Sequence, residues 1–415
     1  MSVPKIAGGG GVYRFLWEEE QIRITVSRIR TDRHGTTTAE IKVESDALAN
    51  PHLHMARLNL TSSTARKRLA DQLADLYPVD WVRILEQLCV LTLNREREGE
   101  PWLSLTSEDE VEPVRYLLPP FLPEGEPTIL YGPGGSGKSL FALLIGMLVA
   151  TGKAHPKLKL NPNGAARVLY LDWETSASEI RRRLHRLAKG LDLAEPVELR
   201  YRRCVQPLAD DVEVLQEAVQ EFEAGLLIID SLAPACGGDL SVPETAMGFF
   251  RALRRLNCTA LVVAHPAKNS ERKTIFGSVF YTNLARSVWE VQTYQDVGGD
   301  SIGVGLFHRK ANLSRLQRPL GVEFLFDGDL GPIRAFPRDV VEIPEVGENA
   351  PVRTRILALL PKSGPLKPKE VADRLGASEG TVRKELARMR DRGLVAQLHD
   401  GRYAARAPEE EVVPF

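Results

Sequence analysis

Hydrophobic positions along this chain change rhythm three times, and each change marks a boundary. Between residues 12 and 60 apolar and polar residues nearly alternate. The runs are Val12-Tyr13-Arg14-Phe15-Leu16-Trp17, Ile22-Arg23-Ile24-Thr25-Val26-Ser27, and Thr37 to Val43 after the turn Asp32-Arg33-His34-Gly35. A period of two predicts strands, and His52 to Leu60 is a fourth. Gly8 to Gly11 reads as a flexible lead-in. Beyond Leu60 the period lengthens. Ser62-Ser63 caps a helix over about Thr64 to Leu76, and Asp80 starts another with Trp81, Ile84, Leu85, Leu88 and Leu91 on one face. Residues 1–100 are thus an N-terminal α+β domain of unknown role. Its histidines, His34, His52 and His54, read as surface or packing residues.

Charge and proline then interrupt the pattern. Asn94 to Glu100 is densely charged, and Pro119, Pro120 and Pro123 follow. Residues 101–111 read as a linker whose continuation packs on the next domain. From 112 to 340 the rhythm changes again, to short wholly apolar runs between helical stretches. Thr128-Ile129-Leu130-Tyr131, Val168-Leu169-Tyr170-Leu171, Leu226-Leu227-Ile228-Ile229 and Ala260-Leu261-Val262-Val263 are the clearest. Strands without a polar face, alternating with helices, predict an α/β domain with a mostly parallel sheet covered on both sides.

The last change follows a break at 341–350. Val352, Ile356, Leu357, Leu359 and Leu360 fit one helix and Lys369 to Leu375 a second. Gly376-Ala377 makes a turn, and Ser378 caps a third helix over 378–392 that buries Val382, Leu386 and Met389. Gly393-Leu394-Val395 and Gly401-Arg402-Tyr403 form a short hairpin. Residues 351–406 read as a winged helix-turn-helix, and 407–415 as an acidic tail. Charge supports this division. The chain carries a net −1, yet residues 350–406 hold 13 Lys+Arg against 6 Asp+Glu. A basic module on a mildly acidic body suits a polyanion such as duplex DNA. Thr381, Arg383 and Lys384, near the start of the third helix, and Arg402 on the wing are the expected DNA contacts.

Cys89, Cys204, Cys236 and Cys258 are widely spaced and form no C-x-x-C pair, so they read as reduced thiols of a cytoplasmic protein. No signal peptide and no membrane span are expected.

The chemistry concentrates in the α/β domain. Gly132-Pro133-Gly134-Gly135-Ser136-Gly137-Lys138-Ser139 fits G-x-x-x-x-G-K-[ST], with a strand before it and a helix after it. Backbone N–H groups and the helix N-terminus suit the phosphates of ATP. Lys138 brings a full charge, and Ser139 offers a hydroxyl to Mg²⁺. Three further sites end apolar runs. Glu174, in Asp172-Trp173-Glu174, suits a base that orients the attacking water. Asp230 fits a Walker-B carboxylate for Mg²⁺. His265 is placed to meet the γ-phosphate or that water.

In these motifs the chain resembles the RecA-like ATPases: G-P-G-G-S-G-K-S, then L-D-W-E, I-I-D-S and V-V-A-H. Within them it is most similar to the RepA-type hexameric replicative helicases of plasmids and to related mobile-element ATPases that often carry the AAA designation. The similarity continues through Phe276-Gly277-Ser278-Val279, Asn283-Leu284-Ala285-Arg286 and His308-Arg309-Lys310-Ala311-Asn312. It spans about 230 residues and leaves out 1–100. Leu313-Ser314 departs from the tyrosine-glycine of the pattern.

The resemblance implies an ATP-hydrolysing, DNA-associated motor. Glu174 would be its catalytic base and His265 its γ-phosphate sensor. Arg286 and Lys310 would be fingers that complete a neighbour's ATP site in a homo-oligomer, as a hexamer. Such a finger is worth roughly 10³–10⁵ in rate. Glu290 is an alternative, salt-bridging partner for Arg286, and Arg309 and His308 are alternatives to Lys310. Single-stranded DNA would pass through a channel lined by Pro266 to Lys273, where Lys268, Arg272 and Lys273 meet phosphates. Ala235 to Asp239 is a second such loop. A recombinase-type DNA-dependent ATPase and an ATP-gated DNA-binding regulator are the other readings. A P-loop kinase fits less well, because no lid or second-substrate pocket is visible.

Overall fold

The structure, a computed structural model, describes residues 3–9, 11–32, 34–98, 104, 106–107, 111–193, 195–266, 275, 277 and 279–406. Lys268, Arg272, Lys273 and the acidic tail 407–415 lie outside them. The chain divides into two compact units, residues 1–113 with 210–218, and 114–209 with 219–415. Among the described residues, no helix is long and apolar enough to cross a membrane.

The first unit is built on an antiparallel sheet in sequential order. Its strands are β1 (Lys5–Gly9), β2 (Val12–Trp17), β3 (Ile22–Thr31), β4 (Thr37–Ser45) and β5 (His52–Asn59). Helices α1 (Ser63–Ala74) and α2 (Trp81–Glu98) follow. Alternation decides which face is covered. Phe15, Trp17, Ile22, Ile24, Val26, Ile41 and Val43 share one core with Leu69, Leu73, Ile84 and Leu88 of the helices. Trp17 Nε1 donates to Gln87 Oε1 at 2.9 Å, fixing α2 against β2. Ser62 caps α1 through the N–H of Ala65. The glycine lead-in differs from expectation: Lys5–Gly9 is an edge strand that pairs along β2. Backbone pairing needs no side chain, so periodicity carried no sign of it.

The second unit holds a ribbon of β6 (Tyr116–Leu118) and β7 (Leu122–Pro123) and then the α/β core. In chain order the elements from here are β8 (Pro127–Tyr131), α3 (Lys138–Thr151), β9 (Arg167–Asp172), α4 (Ala177–Gly190), β10 (Arg200–Arg203), α5 (Val212–Glu221), most of which falls in the first unit, β11 (Ala224–Asp230), α6 (Leu232–Cys236), α7 (Pro243–Leu256), β12 (Thr259–Ala264), α8 (Val279–Leu284), β13 (Ser287–Tyr294), β14 (Ser301–Ala311), β15 (Leu320–Phe326) and β16 (Ile333–Pro337). The strands form one sheet in the order β10-β9-β11-β12-β8-β13-β14-β15-β16. The first six run parallel and the last three alternate in direction. This is a RecA-like α/β core with an antiparallel extension.

Helix α3 explains the extension. Eleven of its fourteen residues are buried, and a helix apolar on every side needs cover on every side. Its residues share a cluster with Val168, Ile228 and Leu261 of the parallel strands. Val291, Val304, Val322 and Phe324 of the later strands belong to the same cluster. Amphipathic α4 adds Ile180 and Leu187 and packs on both α3 and β16.

Residues 341–350, read from sequence as a linker, are packed instead. Two 3₁₀ turns, Val340–Glu342 and Gly347–Asn349, hold Val340, Ile343, Val346 and Ala350 over Phe307 of β14. Beyond them α9 (Val352–Ser363), α10 (Pro368–Leu375), α11 (Glu379–Asp391) and the hairpin β17 (Val395–Gln397)–β18 (Tyr403–Ala405) make the winged helix-turn-helix. Ile356, Val371, Val382, Leu386 and Met389 form its core.

Two glycines test this packing. A Cβ at Gly190, the last residue of α4, would meet the Ile333 carbonyl oxygen at 1.8 Å, whereas one at Gly248 in α7 meets nothing within 4 Å. Gly190→Ala is expected to destabilise the core by about 2 kcal/mol and lower its melting temperature by several degrees. Gly248→Ala is expected to stabilise it by about 0.5–1 kcal/mol through helix propensity. Calorimetry showing both shifts in the same direction would contradict the contact between α4 and β16.

Candidate functional site

The parallel register brings the sequence motifs to one edge of the sheet. Asp230 pairs with Asp172 on one side and Val263 on the other, and Ala264 pairs with Tyr131. The residues that follow these positions, Gly132, Glu174, Ser231 and His265, therefore leave the sheet side by side. In open α/β sheets this carboxyl edge is where ligands collect.

The phosphate loop spans Gly132 to Ser139. Gly132 donates its N–H to Ala264 O at 3.2 Å, and a Cβ there would strike the Val291 carbonyl. Pro133 O accepts from Lys138 Nζ at 2.6 Å, and Ser136 Oγ lies 3.4 Å from the same nitrogen. Gly134 and Gly135 form the outer turn. Gly135 and Gly137 have φ of +73° and +76°, a region that side chains rarely adopt. The loop is thus shaped around its own lysine. Lys138 is 5 % exposed. Burial holds its ammonium down at about 8, against the pull of Asp230 and Glu174. A buried cation facing two carboxylates at a helix N-terminus suits an incoming polyphosphate.

Asp230 is also buried. Desolvation raises its pKa, opposed by hydrogen bonds from Tyr170 and Ser139. Tyr170 donates to Oδ2 at 2.7 Å. Ser139 and Asp230 therefore present a hydroxyl and a carboxylate together, a pair of hard oxygen donors that fits Mg²⁺ completed by phosphate and water. Among the described residues no group of three or more His, Cys, Asp or Glu offers an all-protein metal cage.

The two acids after β9 divide their work. Asp172 is fully buried and receives four donors: the N–H groups of Glu174 and Thr175 at 2.9 and 3.0 Å, the Thr175 hydroxyl, and Tyr201 OH at 3.1 Å. It is saturated and shapes the turn. Glu174 instead lines the cavity with the phosphate loop. Its Oε1 accepts from Ser231 Oγ and lies 3.7 Å from His265 Nε2. Glu174, Asp230, His265, Lys138 and Ser139 thus converge on one cavity of about 410 Å³.

Sequence reasoning missed the rest of that cavity's wall. Arg182, Arg183 and Arg186 of α4 line it, together with Ile302, Phe326 and Ile333. Glu179 holds Arg182 and Arg183 at 2.5 and 2.7 Å, while Arg186 donates to the carbonyls of Gly328 and Gly331. The signal was present as Arg181-Arg182-Arg183 with Arg186 one turn on.

Arg286 and Lys310 are brought together, but far from that cavity. Ser287 pairs with Thr128, at the start of β8, and with Ala311. Both cations therefore sit at the opposite end of the strands, with roughly 10 Å of strand between Thr128 and the phosphate loop. Arg286 Nε pairs with Glu126 at 3.3 Å. Glu290, the alternative partner, is taken by Arg309 at 2.7 Å. Lys310 Nζ donates to the carbonyls of Thr282, Asn283 and Ala285 at 2.7–2.8 Å, capping α8. Burial, and then Arg286, lower its pKa. His308 on the same strand is locked. Its Nδ1 accepts the Gln317 N–H at 3.2 Å, so the proton is on Nε2, facing Ser287 Oγ at 3.1 Å. Its ring stacks on Trp289 at 4.2 Å.

In the C-terminal module the nominated contacts are exposed. Thr381 shares a hydrogen bond with Ser378, Arg383 pairs with Glu379, Arg402 pairs with Asp400, and Lys384 is exposed on the same helix as Thr381 and Arg383. Exposed pairs of this kind are weak, so phosphates compete with them readily.

Residues 94–271 match the family model of an AAA domain, and residues 350–397 match that of bacterial regulatory proteins of the arsR family. Comparison with curated proteins gives no match. Among solved structures the chain is similar to a KaiC-like protein from the hyperthermophilic archaeon Pyrococcus horikoshii OT3. The two are 16% identical over 54% of this chain and 100% of that one, with a TM-score of 0.38. It is also similar to the flagellar accessory protein FlaH from Methanocaldococcus jannaschii, 15% identical over 52% and 90% of the two chains, with a TM-score of 0.35. The family matches and the cavity together support an AAA-type, RecA-like ATPase domain followed by a DNA-binding helix-turn-helix.

His308 gives this region a pH dependence. Burial lowers its pKa from 6.5 to about 4. The unfolded chain therefore binds the extra proton first, and stability falls as pH drops through the interval from about 6.5 to about 4. The loss is up to about 3 kcal/mol. Denaturant titrations of wild type and His308→Gln are expected to diverge across that interval, the variant losing less. Parallel curves would assign the dependence to other groups.

Proposed function

We propose that this chain is an ATP-hydrolysing motor that assembles as a homo-oligomer, a hexameric ring, and acts on DNA in plasmid or mobile-element replication as a helicase-like enzyme. One observation carries the shared-site part of this reading. Arg286 and Lys310 sit at the end of the sheet opposite their own phosphate loop, so they serve an ATP site only in another copy. Their present partners, Glu126 and the α8 carbonyls, are resting contacts to be exchanged for phosphate when a neighbour docks.

Within one subunit each group has a definite task. The loop N–H groups and Lys138 hold the β- and γ-phosphates. Ser139 and Asp230 would hold Mg²⁺, which when bound neutralises charge on those phosphates. Glu174 accepts a proton from the attacking water, a role worth about 10²–10⁴ in rate. His265, beside Glu174 and at the end of β12, senses the γ-phosphate. The segment with Lys268, Arg272 and Lys273 begins directly after it, so single-stranded DNA phosphates contacted there would answer to hydrolysis. The winged helix would hold duplex DNA through α11 and Arg402.

A second reading is an ATP-gated DNA-binding regulator, favoured by the match of 350–397 to regulatory proteins. In that case hydrolysis switches assembly and no strand is moved.

Mixing inactive subunits tests the shared site. Lys138→Ala and Arg286→Ala are each expected to abolish ATP hydrolysis, Arg286→Ala while still binding ATP. An equal mixture is expected to recover about a quarter of wild-type activity, because a quarter of randomly formed interfaces pair an intact loop with an intact finger. No recovery, or full activity of Arg286→Ala alone, would reject the shared site. Strand displacement by the wild-type protein on a forked duplex then separates the motor from the regulator, which shows DNA-stimulated hydrolysis without unwinding.

A further inference from the structure

The residue after Asp230 has a position that its neighbours do not explain. Ser231 occupies the N-cap of α6, where a serine hydroxyl ordinarily accepts a hydrogen bond from the helix. Here it makes no cap hydrogen bond. The side chain is fully buried and instead donates to Glu174 Oε1. A buried hydroxyl that forgoes its local acceptor role for a carboxylate 57 residues away is placed for that carboxylate.

The surroundings sharpen this. The backbone around Glu174 is set from behind: Asp172 takes the N–H groups of Glu174 and Thr175, and Asp230 O takes that of Trp173 at 2.8 Å. The Glu174 side chain, by contrast, is 43% exposed in the cavity. A long carboxylate at an open site samples several rotamers, and each misplacement lowers the fraction aligned with the attacking water. Of its contacts, the hydrogen bond from Ser231 ties Oε1 to the sheet edge. The other oxygen, Oε2, remains for the water. His265 Nε2 approaches the same Oε1 at 3.7 Å, beyond hydrogen-bond distance.

We infer that Ser231 is a positioning residue for the catalytic base: its hydroxyl fixes one oxygen of Glu174 so that the other faces the attacking water. The inference rests on Glu174 being that base. No bond to Ser231 forms or breaks. The proton of the water passes to Glu174, and Ser231 keeps its own.

The test is a double-mutant cycle with the full-length chain, read by steady-state hydrolysis of Mg²⁺–ATP with and without a thymidine oligonucleotide. Ser231→Ala is expected to lower kcat about 10- to 100-fold, leaving KM and the binding of a fluorescent ATP analogue within about threefold. Retained analogue binding also reports that the variant folds. Ser231→Thr, which keeps the hydroxyl, is expected to restore most of the rate. Glu174→Gln is expected to be nearly inactive, and adding Ser231→Ala to it is expected to change its residual rate by less than about twofold, because the serine acts only through the carboxylate. If Ser231→Ala hydrolyses ATP like wild type while Glu174→Gln is inactive, the serine inference is overturned and the base reading stands. If Ser231→Ala lowers the rate equally in both backgrounds, the serine acts by another route and the inference is again overturned. If Glu174→Gln keeps full activity, the base reading falls and the inference falls with it.

Discussion

Helix α3 has no polar face to turn toward water, and the core is arranged to cover it. Its apolar residues contribute to a cluster spanning the parallel strands, the antiparallel extension and α4. Burying so many side chains contributes far more free energy than any single polar contact in the domain. The same burial fixes the helix axis, and its N-terminus is where the phosphate loop ends. A loop with two glycines at positive φ and a desolvated lysine is therefore anchored to a helix buried along almost its whole length.

That anchoring separates two kinds of residue on the sheet. At the carboxyl edge, parallel strands in register deliver Glu174, Asp230 and His265 to a single cavity, so their relative positions follow from backbone pairing. At the other edge, Arg286 and Lys310 lie where β13 begins and β14 ends. The antiparallel extension does both jobs. Its inner face completes the cover of α3, and its far end holds the two cations. The outer face of β14 carries the packed segment that leads to the winged helix.

What could be read from the sequence was what is local. The phosphate loop, the apolar runs ending in Glu174, Asp230 and His265, and the Ser378-capped helix over Val382, Leu386 and Met389 each announce themselves within about a dozen residues. What could not be read depends on separations along the chain. Glu126 meets Arg286 from 160 residues away, and Ser231 reaches Glu174 across 57. The alternation in Val12 to Trp17 identified a strand but was silent on Lys5–Gly9, whose pairing uses backbone alone. Residues 341–350 looked like a linker because glycine, proline and charge outweigh a few scattered valines and isoleucines in a local reading. Only the surface of Phe307 shows where those apolar residues belong. The arginines of α4 were visible as charge, yet a basic helix face ordinarily faces solvent, and nothing local says that this one faces a cavity.

The winged helix carries its carboxylates in register with its arginines. Glu379 lies one turn before Arg383, Glu385 three residues before Arg388, Asp391 beside Arg390, and Asp400 two residues before Arg402. Four arginines and four carboxylates are thus paired locally, while the net excess of basic residues, 13 against 6, still sets the field that a distant polyanion feels. Counterion release scales with the number of phosphates newly neutralised, and an arginine that leaves a carboxylate for a phosphate leaves that carboxylate to gather a cation of its own. Such a module would bind arbitrary DNA with a shallower dependence on ionic strength than the number of its basic residues suggests. Discrimination among duplexes then rests on the shape and hydrogen bonding of the groove more than on bulk charge.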